Sequence, residues 1–124
     1  MTSTYKKLYK TTITGKEIYI GGIKDDIYIR SVRTEHMFTY KDKDNQEEEG
    51  WTVDRDACEQ KIFPNCTQII IKDRTAQKLY MCTVKDFMQK AIQLRDRYFL
   101  PLDDWETKDD KPAFKRVEVV ERDI

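Results

Sequence analysis

Three cysteines and one histidine carry the most versatile side-chain chemistry in this 124-residue chain. Cys58, Cys66, Cys82 and His36 would make a Cys3His zinc set by type, because zinc takes thiolate and imidazole ligands in a tetrahedron. Their spacing holds no C-x2-C knuckle, and cysteine readily fills core space as a small hydrophobe. We therefore expect structural thiols, no bound metal and no cofactor. Nucleophilic catalysis meets the same obstacle. A thiolate needs an adjacent base, His36 is the sole imidazole, and no nucleophile motif surrounds any cysteine. His36, beside Met37 and Phe38, reads as a partly buried ring.

Metal-dependent nucleases gather carboxylates around a divalent cation, with a lysine near the attacking water. Acid-x-Lys triplets occur at Glu59-Gln60-Lys61, Glu106-Thr107-Lys108 and Asp109-Asp110-Lys111, the frequency that chance gives in a chain this charged. Asp73, closing the Ile69-Ile70-Ile71 run, is the best-placed single carboxylate but lacks an acidic partner. Phosphate cradles are absent, since Gly21-Gly22 is a turn signal and no Walker-type or G-x-G-x-x-G pattern exists. A metal-dependent nuclease stays as the alternative, testable by carboxylates converging in a pocket.

Binding is the stronger expectation. Lys72, Arg74 and Lys78 flank one expected hairpin, Lys85 lies on the helix after it, and Arg97 closes the segment near Tyr80 and Tyr98. Basic side chains interleaved with aromatics can hold phosphates and stack bases. Gathered on one face, these residues would make a nucleic-acid surface; Asp73, Asp86 and Asp96 interrupt it. Trp51, Tyr98, Phe99 and Trp105 fall outside the clearest core elements and are candidate anchors for a protein partner or a second copy of the chain. The expected function is thus a non-enzymatic accessory module acting through protein contacts, within a nucleic-acid-handling assembly.

The elements that must position these residues follow from pattern. The 23 basic and 23 acidic side chains cancel, so no overall field advertises a polyanion, although segments 1–40 and 72–98 are mildly basic. A chain of this length is one domain. Tyr5–Ile13, Glu17–Ile20 and Asp26–Val32 read as an opening antiparallel meander, broken by Gly15, Gly21-Gly22 and Asp25-Asp26. The decade 41–50 reads as an exposed charged loop. Asp54 can cap a short helix running to Ile62. Thr67–Lys72 and Gln77–Cys82 pair as a hairpin. Thr83 then caps a helix over Val84–Arg95, whose apolar stripe is Val84, Phe87, Met88, Ala91 and Ile92. Pro101 places Tyr98–Leu102 at a sheet edge. Phe114–Val120 alternates as a terminal strand, or the chain ends in a frayed tail from about 106.

The fold class expected is α+β, one domain, an antiparallel sheet of about five or six strands with one main helix and one short one. The odd cysteine count, the lack of an apolar run behind the N-terminal lysines and the absence of any bilayer-length apolar stretch point to a cytoplasmic protein with no membrane partner.

Overall fold

The computed structural model describes residues 5–110. These residues form a single α+β domain, mostly sheet, with ten strands among them divided between two sheets. Strands β1 (Tyr5–Thr11), β2 (Glu17–Lys24) and β3 (Ile27–Val32) form the expected meander. The chain then leaves for a hairpin of β4 (Phe38–Lys41) and β5 (Glu47–Asp54). It returns to lay β6 (Gln68–Asp73) parallel to β3, followed antiparallel by β7 (Lys78–Thr83). A parallel pair needs a crossover of a dozen or more residues, and segment 33–67 supplies it. Helix α3 (Val84–Lys90) leads to β8 (Ile92–Gln93) and β9 (Arg97–Pro101) in the second sheet, and β10 (Glu106–Asp109) closes the first. The larger sheet runs β1-β2-β3-β6-β7-β10 and the smaller β4-β5-β9-β8.

Period-two alternation sorts the larger sheet cleanly. Tyr28, Val32, Ile69, Ile71, Tyr80 and Cys82 point inward and are buried. They meet Trp51, Val53 and Leu100 of the smaller sheet, Phe87 of α3 and Trp105. Trp51 packs on Tyr80 and Phe87 on Trp105, with ring centroids 5.6 and 6.0 Å apart. Both capping expectations are met. Asp54 Oδ2 accepts from the Ala57 amide at 3.0 Å, opening α1 (Arg55–Ala57), a π-helical turn Cys58–Ile62 and α2 (Phe63–Asn65). Thr83 Oγ1 accepts from the Asp86 amide at 3.1 Å.

Five local expectations are corrected. The main helix stops at Lys90 rather than Arg95, because Ala91 turns extended and Ile92 and Gln93 pair with Phe99 and Tyr98. Ladder bonds and a β-branched side chain outweigh helical periodicity there, and Met88 is left 54% exposed. Residues 47–50 are strand, not loop: Glu47, Glu48 and Glu49 pair with Lys41, Tyr40 and Thr39, carried into register by Trp51 and Val53 behind them. The turn between is held by Asp42 Oδ1, which accepts from the amides of Asp44 and Gln46. Gly21-Gly22 lies inside β2, where Gly21 (φ +120°) sits opposite a register shift between Leu8 and Tyr9. Strand β9 is interior, with Pro101 at its last position beyond the reach of β8. Residues 106–109 form an edge strand on β7 rather than a frayed tail. The expected strand Phe114–Val120 lies outside the described residues.

Candidate functional site

The residues proposed for chemistry are dispersed or occupied. Cys58, Cys66 and Cys82 are all buried free thiols, and burial raises each above its ordinary value, Cys82 to about 11. His36 is exposed on a 3-10 turn (Thr34–His36), not partly buried as its apolar neighbours suggested. No group of three or more His, Cys, Asp or Glu able to hold a metal occurs among the described residues. Asp73 is fully buried, and its carboxylate accepts from the Thr34 hydroxyl at 2.6 Å and from the amides of Thr75 and Ala76 at 3.0 and 3.2 Å. These bonds hold the β6–β7 turn and use the oxygens a metal would need. Of the acid-x-Lys triplets, Glu59 accepts from Tyr98 Oη and Arg55 Nε, which hold its carboxyl below the usual range. Glu106 lies on edge strand β10, and the triplet beginning at Asp109 runs out of the described residues.

The proposed basic surface divides. Lys72 projects from the outer face of the larger sheet, Arg74 from the turn beside it and Lys85 from α3. Lys78 is half-buried opposite Asp73. Arg97 belongs to the smaller sheet, held by Asp96 at 2.9 Å and lying over the Phe38 ring. The aromatic anchors fare differently again. Trp51, Phe99 and Trp105 are core residues, 2%, 0% and 5% exposed: strand pairing buries Trp51 and Phe99, and the 3-10 turn Leu102–Asp104 delivers Trp105, whose Nε1 donates to the Leu100 carbonyl. Phe99 fills a second small core between Phe38 and Tyr40. Tyr98 is half-buried and donates to Glu59, so burial and that carboxylate raise its hydroxyl to about 12.

Among the grooves that carry charge are two beside β5. One of about 480 Å³ is lined by Thr39, Glu47, Glu48, Glu49, Leu102 and Asp103. The other, about 210 Å³, contains Lys10 and Asp54, but Asp54 is already engaged by Lys10 at 2.8 Å and by its helix cap. Neither gathers an acid, a base and a free reacting position.

The surface that does converge was missed. Strand pairing sets Gly22, Ile29, Ile70 and Met81 in one row across β2, β3, β6 and β7, on the face opposite the core. At about 4.8 Å between strands the row spans roughly 14 Å. Ile29, Ile70 and Met81 are half-buried and take no part in the core cluster. Tyr5 completes the row: its ring lies over Gly22, occupying the space a Cβ there would fill. Its hydroxyl bonds that of Tyr19, and Tyr9 packs edge-on to Tyr19 at 5.9 Å. The three rings are 39–53% exposed. Ile27 and Leu79 lie beside the row, and the register puts Lys7, Lys24, Lys72 and Lys108 around it. Glu106 is the acidic residue beside the row, Glu17 lies farther out on the same face, and Asp110 approaches Lys72 at 3.9 Å. The alternation Tyr5-Lys7-Tyr9 carried the signal; what hid it was Gly22, which looked like a turn residue.

The chain matches no protein-family model, no curated protein and no solved structure. No helix among the described residues is long and apolar enough to cross a membrane.

Proposed function

We propose that the protein is a non-enzymatic binding module whose contact surface is the outer face of its six-stranded sheet. One observation carries this: an apolar and aromatic row, Tyr5 over Gly22 then Ile29, Ile70 and Met81, crosses four strands on the side away from the core and is bordered by lysines. Aliphatic side chains at consecutive outward positions cost solubility and add nothing to the interior, so a contiguous group of them marks a contact surface. The core tryptophans give no comparable patch, so the support for a binding role moves from them to this face.

Photo-crosslinking tests the assignment without knowledge of the partner. p-Benzoylphenylalanine placed at Ser31 or Thr83, both exposed on the face, should give a macromolecular adduct in cells producing the protein. The same label at Lys43 or Lys85 should not. Adducts from Lys43 and Lys85 alone, or equally from all four positions, would contradict it.

A further inference from the structure

We infer that the ligand of this face is single-stranded nucleic acid; this rests on the surface assignment just made and adds the chemical class of the partner. Charge is the first argument. Lys7, Lys24, Lys72 and Lys108 stand around the row against Glu106, with Asp110 near Lys72. Four lysines against Glu106 and Asp110 leave the border net basic, which disfavours a second copy of itself and complements a polyanion. Ring geometry is the second. The hydroxyl end of the Tyr5 ring covers the Gly22 backbone, and the side chain stays 39% exposed on this face. An aromatic platform of this kind accepts the flat face of any unpaired base, and the phosphates then fall to flanking cations. The aliphatic strip Ile29-Ile70-Met81 continues the platform without presenting hydrogen-bonding groups, which favours contact with base faces over readout of base edges. A duplex keeps its base faces stacked inside and could use the lysines alone. Sequence-independent binding of single strands is the expected behaviour.

The test is fluorescence anisotropy with labelled oligothymidylate and oligouridylate of about 15 nucleotides, and a duplex of the same length, at low and moderate salt. Single strands should bind more tightly than duplex, with log affinity falling against log salt at a slope of about −2 to −3, as expected for three to four phosphates. Tyr5→Ala should weaken binding about tenfold while Tyr5→Phe, which keeps the ring, stays near wild type. Lys7→Glu with Lys72→Glu should abolish binding, and Lys43→Glu with Lys85→Glu should leave it unchanged, each variant first verified as folded by its melting curve. No binding at low salt, or binding indifferent to the Tyr5 and Lys7/Lys72 changes, overturns the inference. A protein adduct from Ser31 or Thr83 with no oligonucleotide binding would overturn it too, and would leave the surface assignment standing.

Discussion

The Thr34 hydroxyl donates to Asp73 Oδ2 at 2.6 Å, joining the start of the crossover segment to the end of β6. The other oxygen accepts from Thr75 and Ala76, so a fully buried carboxylate organises both the β6–β7 turn and the exit from β3. Hydrogen bonds to an ionised group contribute about 1.5–3 kcal/mol each, and their loss strands buried donors. Asp73→Ala should therefore destabilise the protein by about 3 kcal/mol in urea unfolding. Asp73→Asn keeps an acceptor for the two amides and should lose clearly less. Equal losses would mean the amide bonds do not matter.

The β6–β7 turn also contains Gln77 at φ +55°, in the left-handed region without glycine. That conformation costs an L-residue about 1–2 kcal/mol, partly offset in glycine by its greater freedom when unfolded. Gln77→Gly should raise stability by roughly 0.5–1 kcal/mol. A lower melting temperature would contradict the assignment.

The two buried tryptophans differ in one bond. Trp105 Nε1 donates to the Leu100 carbonyl at 2.9 Å, whereas Trp51 Nε1 is buried without an acceptor among the described residues. Replacing each by phenylalanine removes similar volume, so Trp105→Phe should cost about 1 kcal/mol more than Trp51→Phe. Chemical denaturation of the two variants provides the comparison.

Stability should also fall in alkali. Burial raises the three thiols, Cys82 to about 11, so in the folded state they stay protonated where the unfolded chain has ionised. Their contribution is fully present below the unfolded thiol value near 8.5 and is lost as pH rises through the folded values. The urea midpoint should drop between about pH 8.5 and 11, and a thiol reagent at neutral pH should label all three cysteines only after unfolding. Rapid labelling of the native protein would contradict their burial.

Local rules recovered much of this molecule because local physics decides much of it. The meander, the β6–β7 hairpin and the Asp54 and Thr83 caps follow from alternation and side-chain chemistry within a few residues. What escaped depends on partners distant in sequence. Ile92 leaves the helix because Phe99 pairs with it, and Glu47–Glu49 become strand because Trp51 and Val53 fix the register beyond them. The division into two sheets and the parallel β3–β6 pairing are likewise long-range choices. The candidate surface was hidden for the same reason, since Gly22 makes sense only once Tyr5 is seen lying on it.

The most direct test of the binding surface is an amide chemical-shift titration of the labelled protein with oligothymidylate of about 15 nucleotides. Perturbations should concentrate at Tyr5, Lys7, Gly22, Ile29, Ile70, Lys72 and Met81, which come from five different strands and meet only on the outer sheet face. Shifts confined to Val84–Lys90 and the Phe38–Lys41 strand, or no shifts at all, would contradict it.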